Sequence, residues 1–289
     1  MDDTKRLIIL AGSPRGGVKT WETMFVEIVK NYKNVDIAVC TSNQFLNSFE
    51  FKKKPNYIWS FNEYEDWDDY YLENNKINSL NFLKQGVDTG LYTSGKIHFA
   101  IKDIILKNYI AIIESYDYIL YTRFDQYFIG DPILKNELNI QIPIGEDYFG
   151  VCDRSAYFDS SYARKFLNIL DYLEQDIYIS SEYINCETVF LEQLKHFNLI
   201  DKISRTDRFQ FTTAKKEDKT NWRIAKYRLY GFSNLYLKYP DEFIMSCSNY
   251  INNYGWPNFL VNKFLLSINY IYLLSRIKFG KLKSTHTTH

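Results

Sequence analysis

Residues 7–21 read LIILAGSPRGGVKTW, a short apolar run that ends in a glycine-rich turn. An apolar run of this length, bounded by turn residues, predicts a buried strand from Leu7 to Ala11. Apolar residues then recur at helical spacing from Thr20 to Val29, and VDIAVC at Val35–Cys40 has the composition of a second strand. A strand, a helix and a strand in this order predict a βαβ unit and an α/β fold with a parallel sheet.

The chain continues this alternation of helices and strands to about residue 213. Open sheets of this kind bind ligands at the carboxyl ends of their strands, so we expect the site at that edge. The further predicted elements are a helix from a capping Ser94 to about Ser115, strands at Tyr118–Thr122, Ile140–Ile144 (an edge strand), Phe149–Cys152 and near Phe209–Thr213, and helices at about 160–175 and 185–197.

Residues 43–92 lack a sustained period and contain the acidic and aromatic run NEYEDWDDYYLENN at residues 62–75. Two interpretations stay open, an insertion or mobile lid over a site and a solvated loop with one short helix. We interpret residues 1–250 as one Rossmann-like α/β domain with a mostly parallel sheet flanked by helices. Residues 251–289 are interpreted as a C-terminal amphipathic helix and a disordered tail.

The bulk composition excludes some classes of function. The chain has 289 residues, with 35 basic and 35 acidic side chains. A general nucleic-acid-binding protein carries a large basic excess, so nucleic acid is not an expected partner. The four cysteines form no CxxC pair, which favours reduced thiols and a cytoplasmic location. The N-terminus has no pattern typical of a signal peptide.

The C-terminal stretch from residue 257 to residue 283 is apolar, aromatic and basic, and it contains no acidic residue. A helix lying on an anionic membrane surface has this composition, which would place the protein at the inner face of a membrane as a peripheral contact. A helix packed on the protein core has it too. The sequence leaves both interpretations open.

The glycine-rich turn from Gly12 to Thr20 is the first candidate for binding. Backbone amides at the start of a helix attract anions, and Arg15 and Lys19 add positive charge. It is not a Walker loop, because Val18 separates Gly17 from Lys19. The alternative is a tight turn with solvated charges.

A second candidate is Arg123-Phe124-Asp125, directly after a predicted strand. A carboxylate there could hold a divalent metal, Mn²⁺ or Mg²⁺, that bridges two phosphates and stabilises a leaving diphosphate. Arg123 could bind a phosphate, or pair with a neighbouring carboxylate.

Two further stretches carry candidate acid–base groups. GEDYFGVCDR at residues 145–154 contains Asp153, and Asn185-Cys186-Glu187 opens a predicted helix. A carboxylate in the first turn of a helix is stabilised by the helix dipole, so we expect Glu187 to stay ionised and to act as a base or hydroxyl acceptor. Ordinary helix starts also favour an acidic residue here.

These motifs resemble a group of bacterial and giant-virus glycosyltransferases with a GT-A-like fold. The matching segments are LIILAGSPRGGVKTW, VDIAVCTS, YDYILYTRFDQYF at residues 116–128, GEDYFGVCDR and NCE, which together cover about residues 1–200. The resemblance implies transfer of a sugar from a nucleotide-diphosphate sugar to a glycan or lipid-linked acceptor.

The resemblance also assigns roles to residues. Gly12, Arg15 and Thr41 would line the nucleotide pocket, together with Arg123 and Asp125. Asp125 would take the place of the second acid in an Asp-x-Asp motif, with Arg123 in the place of the first. Either a metal binds Asp125 weakly, or Arg123 itself neutralises the diphosphate and no metal is needed. Asp153 and Glu187 are the candidates for deprotonating or binding the acceptor.

Two other functions remain as alternatives. PRGGVKTW at residues 14–21 is similar to the loop with which sulfotransferases bind a 5′-phosphosulfate, although Val18-Lys19 replaces the expected Thr-Thr. A protein that has kept the fold and lost the chemistry would be a non-catalytic glycan-binding module.

Overall fold

The structure is a computed structural model that describes residues 3–47, 54–86, 88–132, 139–175, 183–218 and 227–278. Within these ranges the chain forms a seven-stranded sheet, a four-stranded sheet and flanking helices. In chain order the strands are β1 (Arg6–Ala11), β2 (Val35–Ser42), β3 (Tyr57–Phe61), β4 (Tyr118–Arg123), β5 (Gln126–Phe128), β6 (Ile140–Pro143), β7 (Ala156–Asp159), β8 (Ile203–Thr206), β9 (Gln210–Lys215), β10 (Tyr227–Arg228) and β11 (Leu235–Leu237).

The helices flank the larger sheet and form a layer beside the smaller one. Helix α1 follows the glycine-rich turn, and α4 is the longest helix of the described residues. In chain order the helices are α1 (Val18–Glu27), α2 (Trp67–Glu73), α3 (Ile77–Lys84), α4 (Lys96–Ile113), α5 (Ala163–Leu167), α6 (Ile169–Leu173), α7 (Cys186–His196), α8 (Pro240–Tyr254), α9 (Trp256–Asn262) and α10 (Phe264–Lys278).

The larger sheet has the strand order β3-β2-β1-β4-β7-β6-β8. All its strands run parallel except β7, which is antiparallel to both neighbours. The predicted βαβ unit is confirmed, since β1 and β2 pair in parallel with Ile8 opposite Ile37. The molecule is therefore an α/β protein whose mostly parallel sheet is compatible with a Rossmann-like fold. The carboxyl ends of β1, β2 and β4 meet at one edge.

Alternation along β1 explains the two sides of this sheet. Leu7 and Ile9 point into the core beneath α4, whereas Ile8 and Leu10 pack with Trp21 of α1. Because successive side chains of a strand point to opposite faces, an uninterrupted apolar run is what a strand covered on both sides needs.

The interpretation of residues 43–92 as a lid or a solvated loop is wrong for its described part from 57 to 84. Strand β3 extends the main sheet, and α2 and α3 bury aromatic and aliphatic side chains in the main core. Trp59 stacks on Tyr109 of α4 with ring centroids 4.6 Å apart. The acidic residues between the aromatic ones conceal the inward face in the sequence, since helices α2 and α3 are too short to establish a period.

Three other predictions at the level of elements are wrong. Strand β6 is not an edge strand, because β8 pairs with it on its outer side. Phe149–Cys152 forms no strand, since Phe149 has a φ of 70° and the following strand begins only at Ala156. Ser94 does not cap α4; its hydroxyl donates to the carbonyl of Gly90, and the helix begins after Gly95.

The smaller sheet has the order β10-β11-β9-β5 and packs against the C-terminal helices. The strand predicted near Phe209–Thr213 is β9 of this sheet. Helix α8 runs without interruption across residue 250, and α10 buries Leu266 and Leu273 against it. The predicted tail, residues 283–289, lies outside the described residues. None of the described helices is long and apolar enough to cross a membrane.

The two sheets are joined beside the candidate site. Strand β4 ends at Arg123, and β5 of the other sheet begins at Gln126, so only Phe124 and Asp125 connect them. The backbone carbonyl of Asp125 accepts a hydrogen bond of 2.8 Å from the backbone N–H of Thr213 in β9. Asp125 therefore lies at the boundary between the sheets.

Candidate functional site

A buried ion pair lies at the carboxyl end of β4. Arg123 donates from Nε to Oδ1 of Asp125 at 3.0 Å, and its Nη2 donates to Oδ2 of the same carboxylate. Asp125 is only 2% exposed. Burial alone would raise the pKa of Asp125, but the charge and hydrogen bonds of Arg123, together with the charges of Arg15 and Lys238, hold that pKa below its usual value. The carboxylate is therefore ionised and shared between two nitrogens of one guanidinium.

Two more cationic side chains surround Asp125. Arg15 comes from the glycine-rich turn and Lys238 directly follows β11, and both attract the carboxylate. Burial lowers the pKa of Arg15, and burial together with repulsion by Arg123 lowers the pKa of Lys238 to about 8. Burial is the largest cause of both shifts, and the three cationic side chains make this edge of the sheet suitable for an anion.

The expected metal on Asp125 does not fit this arrangement. Both carboxylate oxygens of Asp125 already accept hydrogen bonds from Arg123. Within the part of the chain that the structure describes, no group of three or more His, Cys, Asp or Glu side chains is placed to hold a metal ion. Positive charge at this position therefore comes from Arg123, Arg15 and Lys238.

The glycine-rich turn is arranged differently from the predicted anion cradle. Gly12 has a φ of 103°, which only glycine adopts readily, and its N–H donates to the carbonyl of Cys40. The N–H of Gly16 donates to the carboxylate of Asp218 at 2.9 Å, so this amide already has an acidic acceptor within the protein. Lys19 is exposed on a surface pocket of about 250 Å³. Only Arg15 reaches the ion pair at Asp125.

Buried hydroxyl groups mark the ends of β2 and β4. Thr41, Ser42 and Thr122 are all nearly inaccessible to solvent, and their hydroxyl oxygens have no hydrogen-bond partner among the described residues. Alternation along the strands places Thr41 and Thr122 on the α1 face, on either side of β1. Buried polar groups are nearly always hydrogen-bonded in folded proteins, so ordered water or a polar ligand would supply partners for these hydroxyls.

The segment from Gly145 to Arg154 follows an unusual backbone path. Three of its non-glycine residues, Glu146, Tyr148 and Phe149, have positive φ angles of 56°, 41° and 70°. Such conformations cost about 1–3 kcal/mol each and persist where the surroundings impose them, often at functional sites. Here Asn185 donates to the carbonyl of Tyr148 at 2.8 Å, which fastens the segment to the start of α7.

This path brings Asp153 into a buried polar cluster with His98 and Lys102 of α4. Oδ2 of Asp153 lies 3.4 Å from Nε2 of His98. Burial would raise the pKa of Asp153, but attraction from the charges of Lys102 and Arg154 lowers it below its usual value. Burial lowers the pKa of His98 to about 3, so that imidazole is neutral at physiological pH.

Lys102 is fully buried, and its ammonium group has no hydrogen-bond partner among the described residues. It lies over the ring of Phe190 at 4.2 Å from the centroid. Burial lowers its pKa to about 8, against the attraction of Asp153. The cation thus favours the ionised form of Asp153 from inside the core.

Glu187 lies beside Asp153 in the first turn of α7. Asn185 caps this helix, since its side chain accepts from the N–H of Thr188 while Thr188 accepts from the N–H of Asn185. The expectation that the helix keeps Glu187 ionised is wrong: burial, and then the charge of Asp153, raise the pKa of Glu187 to about 8. At neutral pH one carboxyl group of the pair is charged and the other is mostly protonated.

A second set of buried charges supports this cluster, and sequence reasoning missed most of it. Glu242, in the first turn of α8, accepts from Arg154 at 2.9 Å, from Arg208 at 3.3 Å and from the N–H of Thr212 at 2.7 Å. Arg154 also donates to Glu146 at 3.3 Å. Arg154 lies 88 residues from Glu242 along the chain, and nothing in either local sequence indicates the pairing.

The structure therefore brings the predicted site residues together in two groups. Arg15, Arg123 and Asp125 form one group, and Asp153 and Glu187 form the other. The two groups are close, because the charge of Arg123 lowers the pKa of Asp153 and the charge of Arg154 acts on Arg123. The remaining predicted residues, Gly12 and Thr41, lie at the same carboxyl edge of the sheet.

Neither a scan with models of known protein families nor a search of curated proteins found a match for this chain. The function is therefore inferred from the residues of the site.

Proposed function

We propose that this protein is a glycosyltransferase with a GT-A-like fold that uses a nucleotide-diphosphate sugar. The observation that carries the proposal is the cluster of cationic side chains at the carboxyl end of β4, where Arg15, Arg123 and Lys238 lie around the carboxylate of Asp125. A mostly parallel sheet binds ligands at this edge, and arginine forks suit phosphate oxygens. The unpartnered hydroxyls of Thr41 and Ser42 are suited to the nucleoside.

In this reaction an acceptor hydroxyl attacks the anomeric carbon of the donor sugar. The new bond joins the acceptor oxygen to that carbon, the bond to the diphosphate breaks, and the diphosphate leaves with the bonding electrons. Arg15 and Arg123 stabilise the negative charge of the leaving diphosphate without a resident metal.

The hydroxyl proton passes to a carboxylate of the second group. A base works best when its pKa is near the working pH, which favours Glu187 with a pKa of about 8, acting through the fraction of molecules in which it is ionised. Asp153 stays ionised and accepts a hydrogen bond from the acceptor or the donor sugar.

The sulfotransferase alternative is less well supported by the glycine-rich turn. A phosphosulfate loop needs free backbone amides, and the carboxylate of Asp218 takes the N–H of Gly16 and also the N–H of Lys215. A negative group at this position would repel the phosphate. A non-catalytic glycan-binding module would not need the buried cations around Asp125 to bind its ligand.

The test is binding of nucleoside diphosphates, measured by thermal shift and by calorimetry. We expect a uridine, guanosine or cytidine diphosphate to stabilise the protein, and the shift to persist in EDTA. Stabilisation by adenosine 3′,5′-bisphosphate alone would instead identify a sulfotransferase. If no nucleotide has an effect, the donor site does not exist.

Variants locate the binding. Arg15→Gln keeps the pair between Arg123 and Asp125, and it should weaken diphosphate binding by about 10- to 100-fold, the value of one charged hydrogen bond. Arg164→Gln is the matched control, because Arg164 forms a similar fork with Glu114 on the exposed side of α5. Equal affinities for both variants would contradict the assigned site.

A further inference from the structure

Helix α10 differs from an ordinary surface helix, because it is apolar on its exposed face as well as on the face that buries Leu266 and Leu273. Its inward face includes two polar side chains, Ser267 and Asn269, each 1% exposed. Its outward face is apolar: Phe264 is 61% exposed, Ile271 52% and Tyr272 50%. Surface helices normally present polar residues to water and apolar residues to the core, so this arrangement requires an explanation.

Polar contacts hold α10 in this orientation. The side chain of Asn269 accepts from the backbone N–H of Tyr230 at 2.7 Å and donates to the carbonyl of the same residue at 2.9 Å. The hydroxyl of Tyr270 lies 2.9 Å from that of Ser248 on α8. A rotation that buried Phe264 would break these bonds and leave Asn269 with only the carbonyl of Leu265 in its own helix, so the packing holds the apolar face outward.

The exposed apolar surface extends beyond α10. Val261 at the end of α9 is 79% exposed, and Tyr230 on the neighbouring loop is 70% exposed. We name this surface the C-terminal apolar face; it consists of Tyr230, Leu260, Val261, Phe264, Leu265, Ile271, Tyr272 and Leu274. Contiguous apolar surface of this kind on a folded protein marks an interaction site.

The C-terminal sequence is basic as well as apolar. From residue 257 to residue 283 the sequence has five basic residues and no acidic one. Lys263 pairs with Glu27 of α1, but four of the five lie together in RIKFGKLK at residues 276–283. A cluster of four or more basic residues beside an apolar helix face is typical of proteins that bind anionic lipids.

We propose that the C-terminal apolar face binds the surface of a membrane that contains anionic phospholipids. The apolar side chains would enter the boundary between headgroups and acyl chains, and the basic cluster would contact the headgroup phosphates. A second copy of this chain fits less well, because residues 257–283 contain no acidic residue that could pair with the basic residues of the same stretch in another copy.

The geometry links this face to the candidate site. Helix α10 packs against α8, whose first turn holds Glu242 between Arg154 and Arg208. The orientation of the site relative to the lipid surface is therefore fixed through one helix. The proposal itself concerns binding only and does not rest on glycosyl transfer.

The experiment is flotation of the full chain with vesicles of phosphatidylcholine, alone and mixed with phosphatidylglycerol. We expect binding to the anionic vesicles only, weakened by salt. The double variant Phe264→Gln/Ile271→Gln should bind at least about tenfold more weakly, since both side chains lose apolar contact with lipid. Its melting temperature should be unchanged, because both residues are exposed in the free protein.

The matched control is Leu72→Gln/Ile77→Gln, which removes two apolar side chains of 52% exposure from α2 and α3. This variant should bind vesicles like the wild type. Equal binding by both double variants, or no binding of the wild type, would overturn the proposal. A wild-type dimer that the Phe264 variant dissociates, with no vesicle binding, would show instead that the face joins two copies.

Discussion

At the scale of single residues, the candidate site separates the protonation states of two neighbouring carboxyl groups. Asp153 is held ionised by Lys102 and Arg154, whereas burial beside Asp153 keeps Glu187 mostly protonated at neutral pH. Pairs of carboxyl groups with separated pKa values are a common basis for acid and base roles in one site. The energetic consequence can be measured without knowing any substrate.

The pKa of Glu187 rises from 4.5 to about 8 on folding, so the folded protein binds this proton more tightly than the unfolded chain. The stabilisation is complete below pH 4.5 and is lost as the pH rises to about 8, with a slope of at most about 1.4 kcal/mol per pH unit. Glu187→Gln imitates the protonated group, so its free energy of unfolding should fall less over this range. Urea unfolding at several pH values measures both slopes.

His98 contributes a slope of the opposite sign below its ordinary pKa of 6.5, because it is neutral in the folded protein. The difference between wild type and variant cancels this contribution. Glu192→Gln on the same helix is the control, since Glu192 pairs with Lys195 at the surface. If the Glu187 variant and the wild type have parallel curves, the shifted pKa is wrong.

The sequence indicated some of these residues and concealed others for a physical reason. Arg123 and Asp125 follow a recognisable strand, so their position at the sheet edge was predictable. The ionisation of Glu187 was not, because it depends on burial and on Asp153, and neither is a property of the local sequence. Glu242 and Arg208 belong to contacts across long sequence separations, which one sequence alone does not show.

At the scale of elements, the segment from 145 to 154 determines where Asp153 lies. It crosses the start of α7 so closely that a Cβ on Gly150 would come within 2.0 Å of the carbonyl oxygen of Glu187. The βαβ unit that precedes it was predictable from an apolar run and a helical period. Strands β7 and β8 were not, because each has only four residues and shows no clear alternation.

We expect Gly150→Ala to destabilise the protein by about 3 kcal/mol or more, because the added methyl group meets backbone rather than a movable side chain. Gly130→Ala is the control: its Cβ would lie 3.1 Å from the ring of Phe209, which can shift. Urea unfolding of both variants compares them. A loss below about 1 kcal/mol for Gly150→Ala would mean that the close crossing is not real.

At the scale of the whole molecule, helix α8 contributes a buried carboxylate to the candidate site. Glu242 of α8 neutralises Arg154 beneath the acid–base pair and Arg208 at the start of β9. The division at residue 250 was inferred from a change in composition. The change in amino-acid composition reflects the exposed face of α10, however, and gives no information about the buried contacts of α8.

Glu242→Ala should cost about 3–5 kcal/mol of folding free energy, because it leaves two buried guanidinium groups without their shared carboxylate. The control is Glu114→Ala, which removes an exposed partner of Arg164 and should cost under about 1 kcal/mol. Chemical unfolding at neutral pH measures both. Similar losses for the two variants would show that the buried network contributes nothing special.

The junction at Asp125 has a mechanical consequence for the molecule. Two connecting residues span at most about 7 Å, so the two sheets cannot separate where β4 passes into β5. The side chain of Asp125 binds Arg123 of one sheet, and its backbone binds Thr213 of the other. This residue therefore holds the two sheets together at the junction. If one sheet rotates relative to the other, the displacement is smallest at this junction. Arg123 would therefore move less than residues that lie farther from Asp125.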